Sequence, residues 1–277
     1  MLEKSIIMEK ISCFICGENE KNSTILSKDT FNVVECACGF KFINPRPDSK
    51  EISKFYNLDT YHPHQKGSGL IYFLFKMSRY LTYSWKMSLI KKYSSNNIVH
   101  LDYGGGDGSF SKYVRYFNIK SYSYDPIADK SNKTIDKDKK YNIVTLWHSL
   151  EHIHDLDNFF NTLDCIVNNG RIIVAVPNFN AFEKKYFKDA WAAYDIPRHL
   201  YHFDHITLEK LFHKKGYNVI DKRRMILDTI YISFLSRKIA NIGYVKTLWI
   251  IILSIVKVLY NGPNSSSSLL YVFEKRH

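Results

Sequence analysis

A chain of 277 residues, 45% of them hydrophobic, is long and apolar enough for one large domain or for a main domain with a small appendage. The formal net charge of +12 favours anionic ligands, but the lysines are scattered and accompany no nucleic-acid-binding motif, so we expect no nucleic-acid partner. The first eight residues lack the apolar core and cleavage site of a signal peptide, which predicts a cytoplasmic protein.

Four of the five cysteines lie among the first 40 residues, unlike the disulfide framework of a secreted protein. Two residues separate Cys13 from Cys16, which precedes a glycine, and one residue separates Cys36 from Cys38 in a closer second pair. Four thiolates suit a structural zinc ion, because they leave no coordination position open for chemistry. The pattern predicts a zinc-ribbon-like module over residues 10–47, with a metal-free or disulfide-bonded knuckle as the alternative.

Residues 48–97 are predicted to form a helical connection to the main domain. Residues 48–56 indicate a short capped helix. The apolar and aromatic residues over 70–93, with Lys and Arg between them, favour one long helix or two that cover the core.

A glycine-rich turn over residues 101–108 organises the main domain. It follows an apolar run that indicates a buried strand and precedes a segment that can begin a helix. Gly104, Gly106 and Gly108 let a ligand approach the backbone closely, and a helix start offers unpaired N–H groups. Such a turn alone is equally compatible with a plain loop.

Acidic and histidine side chains follow the next predicted strands. Asp125 comes about 20 positions after the glycines, where a doubly wound sheet places a carboxylate that accepts hydrogen bonds from ribose hydroxyls. The strand predicted over residues 141–147 is followed by His148, Glu151 and His152. Because the C-terminal ends of parallel strands face the ligand crevice, we expect chemistry there. The alternation of strands and helices predicts a mostly parallel sheet with helices on both faces.

The last third of the chain combines a loop rich in polar and aromatic residues with a long insertion. Residues 191–203 are typical of neither helix nor strand and concentrate groups that often bind ligands. The final strand, over 267–274, is predicted to be the antiparallel partner of the strand that begins at Tyr217. Between these two strands, the helical insertion over residues 225–260 is far longer than a hairpin needs.

The end of that insertion is apolar on every side of a helix. Residues 247–256 are too few to cross a bilayer, which takes roughly 20 residues. We prefer full burial or a homodimer contact as the interpretation. Peripheral contact of residues 244–260 with the inner face of the membrane is the alternative, which Lys246, Lys257 and the basic charge favour.

Residues 101–108 resemble the S-adenosylmethionine turn of class I methyltransferases, with Asp125 in the position of the ribose-binding acid. Residues 147–152, 171–178 and 196–203 resemble the corresponding segments of the subgroup that includes the ubiquinone-biosynthesis O-methyltransferases. The cysteine pairs and the Asn-Pro-Arg-Pro sequence ahead of the domain are similar to those of bacterial methyltransferases with a zinc ribbon, many of which act in sugar and surface-polysaccharide pathways.

This resemblance implies a doubly wound, mostly parallel, Rossmann-like methyltransferase domain over residues 98–277. It implies S-adenosylmethionine as cofactor, beside the structural zinc. The candidate bases are His148, His152 and His199, since an imidazole titrates near neutral pH and can accept a hydroxyl proton; a purely bracing role for His152 stays open. The implied cofactor-binding residues are Asp102, Gly104, Gly106, Asp125 and Trp147.

The implied reaction is O-methylation of a small-molecule or glycan-type acceptor, such as a sugar or a surface-polysaccharide or lipid-linked intermediate. C-methylation of a nucleotide-linked sugar and a non-catalytic scaffold with the same fold are alternatives. A nicotinamide-dependent dehydrogenase also uses a glycine turn and a carboxylate, but Glu151, His152 and residues 197–203 favour methyl transfer. A divalent cation at His148, Glu151 and His152 is not expected, because His148 replaces an acidic residue of some ubiquinone-type enzymes.

Overall fold

The computed structural model describes residues 6–56, 70–94, 97–127 and 135–276. The strands are β1 (Met8–Glu9), β2 (Asn22–Lys28), β3 (Phe31–Cys36), β4 (Lys41–Ile43), β5 (Arg46–Pro47), β6 (Val99–Tyr103), β7 (Lys120–Tyr124), β8 (Tyr141–Trp147), β9 (Val167–Pro177), β10 (Tyr201–His202), β11 (Tyr217–Arg223) and β12 (Ser268–Lys275). The helices are α1 (Leu70–Tyr93), α2 (Ser109–Arg115), α3 (Leu156–Ile166), α4 (Lys184–Phe187), α5 (His205–Lys214), α6 (Ile226–Ala240) and α7 (Tyr244–Asn261).

A six-stranded sheet in the order β11-β12-β9-β8-β6-β7 forms the centre of the main domain. Strands β9, β8, β6 and β7 pair in parallel, whereas β12 is antiparallel to both of its neighbours. The predictions of a mostly parallel sheet and of an antiparallel pair at the end of the chain are confirmed. The central strands are buried on both faces, as Val144 and Leu146 show, which explains their near-continuous apolar sequence.

The long helix predicted over residues 70–93 is confirmed as α1. Its Ile90 is buried in one cluster with Phe110 of α2 and Ile173 of β9, so α1 covers one face of the sheet. The short helix predicted after residue 48 is a 3-10 helix over Ile52–Tyr56. The Asp48 carboxylate caps the turn before it by accepting hydrogen bonds from two backbone N–H groups.

A second sheet, in the order β10-β4-β3-β2, joins the N-terminal segment to the main domain. Strands β2, β3 and β4 are antiparallel neighbours, and β4 also pairs with β10. Tyr201 lies opposite Phe42 in that pairing, and the buried rings of Phe40 and Phe203 lie 5.7 Å apart. The N-terminal segment and the main domain therefore share a sheet and a core, and part of the loop predicted over 191–203 is a strand.

The insertion predicted over residues 225–260 forms an α6–α7 hairpin. Ile232 of α6 and Ile250 of α7 are buried in one cluster with Trp191 and Tyr194. The prediction of full burial is wrong, because the hairpin contacts the domain with one side only and Trp249 is 62% exposed. By length and composition alone α7 could cross a membrane, and 28% of it is buried.

Candidate active site

The glycine turn connects β6 to α2 and contacts the end of β8. Gly104 has a φ of +73°, and a Cβ at this position would lie 2.3 Å from the Cβ of Ser149, so only glycine fits. Gly106 has a φ of +55°, and apart from its two chain neighbours no residue that the structure describes has an atom within 4 Å of the place that its Cβ would take. The backbone at Gly106 is therefore open to a ligand.

Asp102 is buried beneath this turn and ends a chain of hydrogen bonds. Its carboxylate accepts from Thr145 Oγ1 at 2.8 Å, Thr145 Oγ1 lies 2.9 Å from His100 Nε2, and His100 Nδ1 lies 2.8 Å from Ser121 Oγ. Burial lowers the pKa of His100 to about 3, so the ring is neutral and donates through Nε2. Burial, partly offset by Lys86, raises the pKa of Asp102 to about 6. The chain holds the Asp102 carboxylate in one orientation.

Asp125 follows β7 and lies against the glycine turn. Its carboxylate accepts hydrogen bonds from the backbone N–H groups of Gly106 at 2.8 Å and Ile127 at 2.9 Å. The N–H groups of Gly104 and Gly105 both donate to the carbonyl of Tyr124. The structure thus places the predicted ribose-binding acid at the predicted cofactor turn.

Trp147 ends β8 and packs against α1 and α2. Its ring lies 6.2 Å from that of Phe110, and Lys86 Nζ lies 4.4 Å from the Trp147 ring centroid. Among the described residues, its buried Nε1 has no hydrogen-bond partner, which leaves this N–H group for a ligand. Burial lowers the pKa of Lys86 in spite of Asp102 and Asp228. Sequence reasoning missed Lys86, because its helix position gave no sign that it faces the turn.

His148 follows β8 with a φ of +53°. Its Nε2 lies 2.9 Å from Asp228 and its Nδ1 lies 3.6 Å from Glu151. Burial lowers the pKa of His148, but the two carboxylates outweigh burial and raise it to about 10. The imidazolium cannot accept a proton at neutral pH, which disfavours the predicted role of His148 as a base. Asp228 comes from α6, in the insertion, and the sequence gave no signal for it.

Glu151, His152 and His199 form a compact cluster after β8, with possible ligand atoms within 4.8 Å of one another. Glu151 is fully buried, and neither carboxylate oxygen has a hydrogen-bond partner among the described residues. Burial raises the pKa of Glu151, but the surrounding imidazoles, His148 above all, outweigh burial and lower it. The cluster therefore centres on an ionised carboxylate.

Backbone carbonyls fix the tautomers of the two histidines in this cluster. His152 Nδ1 lies 2.9 Å from the carbonyl of Arg198, and His199 Nδ1 lies 2.9 Å from that of Ala193. Because a carbonyl only accepts, each Nδ1 carries hydrogen and each Nε2 of a neutral ring keeps its lone pair. Burial, then His199, lowers the pKa of His152 to about 4. His152 is therefore a neutral imidazole with a fixed orientation.

The same arrangement could ligate a divalent metal. Two imidazole nitrogens and one carboxylate suit a transition metal, and histidine ligands commonly donate their other N–H to a carbonyl. The set differs from the one considered from the sequence, since His199 takes the place of His148. His148 is held instead by Asp228.

The four predicted zinc ligands also come together. The Sγ atoms of Cys13 and Cys38 lie 3.5 Å apart, those of Cys16 and Cys36 lie 3.4 Å apart, and all four lie within 4.8 Å of one another. These distances are longer than the S–S length of a disulfide, which is about 2.05 Å, and the four cysteines are free in the structure. Four thiols at this spacing fit a single tetrahedral ion.

Comparison with known proteins agrees with this arrangement. Residues 77–222 match the family model described as a methyltransferase domain, a range that includes the glycine turn, Asp125 and the Glu151 cluster. The chain belongs to the methyltransferase domain family. It is an S-adenosylmethionine-dependent methyltransferase with a Rossmann-like fold. No curated protein sequence matches this methyltransferase.

Several solved structures are similar to this methyltransferase at low identity. One is an S-adenosylmethionine-dependent methyltransferase from Archaeoglobus fulgidus, with 16% identity, 74% of this chain and 99% of that chain covered, and a TM-score of 0.44. Another is magnesium protoporphyrin IX methyltransferase from Synechocystis with bound S-adenosylhomocysteine, with 12% identity, coverage of 82% and 100%, and a TM-score of 0.47. A third is phosphoethanolamine N-methyltransferase 2 from Haemonchus contortus, with 13% identity, coverage of 91% and 70%, and a TM-score of 0.46. Their named substrates differ, and no acceptor follows from them.

Proposed function

We propose that this methyltransferase acts on a hydroxyl oxygen of a sugar, or of a surface-polysaccharide or lipid-linked intermediate. The observation that carries the proposal is a neutral, oriented imidazole, His152, after the strand that adjoins the glycine turn in the sheet. A hydroxyl acceptor requires a base to remove its proton, and a neutral imidazole is suited to that task. Membership of the ubiquinone-type subgroup is part of the proposal, since residues 147–152 and 196–203 carry that resemblance and supply the cluster.

The cofactor would lie over the glycine turn. Asp125 would accept hydrogen bonds from the ribose hydroxyls, the open backbone at Gly106 would face the amino-acid portion, and the Trp147 Nε1 would donate to it. Asp102 would hold the turn from below, and Gly104 would keep it against Ser149. The bound sulfonium supplies an activated methyl group, so these residues mainly have to align the reactants.

His152 is the base that we assign, and Glu151 and His199 position it. Arg198 and Tyr56 contact His152 Nδ1 at 2.9 and 2.8 Å, which orients the ring. The ionised Glu151 would stabilise the imidazolium that forms when His152 Nε2 takes the hydroxyl proton. His199 has the same tautomer, packs against the His152 ring at 4.6 Å and is only 7% exposed, which suits a supporting role.

We also propose a structural zinc ion at Cys13, Cys16, Cys36 and Cys38. The support is the convergence of the four Sγ atoms. The ion would connect the turn that precedes β2 with the turn that follows β3. The next strand, β4, pairs with β10, which begins just after His199. In this way the zinc site would support the segment that carries the active-site histidine.

Radiolabelled methyl transfer tests the proposed function. The full-length, zinc-loaded protein would be incubated with S-adenosylmethionine labelled in the methyl group and with glycan and lipid-intermediate fractions of the producing cell. We expect label in a glycan fraction, and mass spectrometry should locate it on a sugar oxygen. Label on a carbon or nitrogen atom would reject the O-methylation proposal. Calorimetry that finds no S-adenosylmethionine binding would reject the cofactor assignment.

A further inference from the structure

The outward side of α7 is more apolar than its inward side. The exposed apolar residues of this 18-residue helix recur every three or four positions, so they form a stripe along one side of it. The inward side instead buries Thr247 and Ser254 beside isoleucines. We call the exposed set the outer stripe: Val245, Leu248, Trp249, Ile252, Leu253, Val256 and Leu259.

Helix α6 has the same pattern, with hydroxyl-bearing residues on its inward side and apolar residues on its outward side. It buries Ser233 and Ser236 while Leu227 and Tyr231 are exposed. Small and hydroxyl-bearing residues let helices approach closely and are typical of helix contacts in membranes, where the large apolar residues face lipid. In a helix that faces water, the apolar stripe is expected to face the core.

The exposed charged side chains of the α6–α7 hairpin are all basic. Residues 226–261 contain four basic residues and one carboxylate, Asp228, which is occupied by His148. Lys246 lies three positions before Trp249 and Lys257 four positions after Leu253, so both are exposed beside the outer stripe, and Lys238 is exposed near the end of α6. A basic rim around an apolar stripe complements an anionic lipid surface.

A dimer contact and a membrane-spanning helix fit the outer stripe less well than a membrane surface does. A symmetric dimer would place the same basic patch on both subunits, and the exposed surface of the hairpin offers no carboxylate to pair with it. A membrane-spanning position does not fit either, because Ile250 on the inward side of α7 packs against Trp191 and Tyr194 of the domain. The helix therefore lies along the domain surface with one side uncovered.

We propose that the outer stripe lies in the headgroup region of an anionic phospholipid bilayer, with the three lysines contacting lipid phosphates. Tyr244 and Tyr260, exposed at the two ends of α7, suit the membrane–water interface. Asp228 in the same hairpin contacts His148, so docking would fix the active site near the membrane surface. The docking itself does not depend on the acceptor.

Vesicle flotation of the full-length protein tests the docking. We expect the protein to float with vesicles that contain phosphatidylglycerol and not with pure phosphatidylcholine vesicles, and added salt should weaken binding. The double substitution Trp249→Glu with Leu253→Glu should lower the bound fraction by roughly tenfold or more, because it removes two apolar side chains that the bilayer would bury. The matched control, Tyr116→Glu with Ile206→Glu, changes two apolar residues that are also exposed and should bind like the native protein.

Three results would overturn the proposal. The first is that the native protein floats with neither vesicle type. The second is that the Trp249 and Leu253 double variant floats as well as the native protein. The third is that the native protein binds no vesicles and is a dimer by light scattering, whereas the double variant is a monomer. Calorimetry with S-adenosylmethionine would establish that the double variant is folded. Since flotation needs neither acceptor nor turnover, its failure is distinguishable from failure of the proposed O-methylation.

Discussion

The Asp228 carboxylate lies 2.9 Å from His148 Nε2, although 80 residues separate the two in the chain. The contact ties the first turn of α6 to the end of β8. It keeps His148 charged and places the insertion at the boundary of the active site. An insertion that could have been an appendage therefore contributes to the electrostatics of the site.

Asp228→Asn should lower the elevated pKa of His148, although Glu151 keeps its own, smaller contribution. The folded pKa of about 10 lies above the usual value for histidine of about 6.5, so this contact stabilises the fold fully below pH 6.5 and is lost as the pH rises through 10. The variant should therefore show a weaker pH dependence of the melting temperature between about pH 7 and 10 than the native protein. NMR titration of His148 and calorimetric melts would measure both effects. Asp157→Asn, at an exposed ion pair, is the control; a variant curve parallel to the native one would refute the assignment.

Gly104→Ala should destabilise the protein more than Gly106→Ala. Both positions have a positive φ, which costs about 1–2 kcal/mol for a residue with a Cβ, but only Gly104 has a neighbour, Ser149, within 2.3 Å of the added atom. Unfolding in denaturant would measure the difference in the free energy of unfolding. Ser149→Gly should restore part of the loss in the Gly104→Ala background, and equal losses at the two glycines would contradict the contact.

Asp125→Ala should weaken S-adenosylmethionine binding by roughly 1–3 kcal/mol, because the ribose hydroxyls lose a charged acceptor. Isothermal calorimetry would measure the dissociation constant. Asp136→Ala, at an exposed acid shortly before β8, should leave affinity unchanged. Unchanged affinity in Asp125→Ala would remove Asp125 from the cofactor site.

Metal analysis should find one zinc ion per chain. Cys13→Ser and Cys36→Ser should lose it and lower thermal stability, whereas Cys165→Ser, at an exposed free cysteine, should keep it. The absence of zinc in the native protein would reject the site. A second metal equivalent that disappears in Glu151→Gln would instead show that the Glu151 cluster ligates a metal.

His152→Gln should lower the rate of methyl transfer by roughly 10²–10⁴-fold with little change in S-adenosylmethionine affinity, since a base contributes to that extent. In the native protein the rate should fall at low pH as His152 protonates near pH 4. The rate of labelled-methyl transfer as a function of pH would measure this acid limb. An acid limb that persists unchanged in His152→Gln would point to another base.

Local sequence patterns were sufficient for the elements around the cofactor turn. The apolar run of β6, the glycines and Asp125 follow one another within about 25 residues, so their mutual placement is set by one strand, one turn and the next strand. The cysteine pairs were likewise predictable as a cluster, because their ligand chemistry requires them to meet. The helix α1 followed from its length and apolar content.

The contacts that define the chemistry arise between distant segments. Nothing near Asp228 indicates His148, and nothing near Lys86 indicates the turn, because each contact depends on how a helix packs on the sheet. The loop over 191–203 has no strand pattern of its own, since a two-residue strand such as β10 exists only through its partner β4. The sequence also showed that α7 is apolar, but not which side is covered.

The sequence by itself determined the Rossmann-like class and the position of the cofactor turn, because strand, turn and helix signals act over a few residues. Tertiary structure alone decided the charge state of His148, the tautomers of His152 and His199, and the outward direction of the outer stripe. A pKa depends on burial and on neighbouring charges, and a tautomer depends on the acceptor that the fold brings to each nitrogen. Asp228 lies 80 residues from His148 and Arg198 lies 46 residues from His152 in the chain, so packing and not local pattern selects these two neighbours.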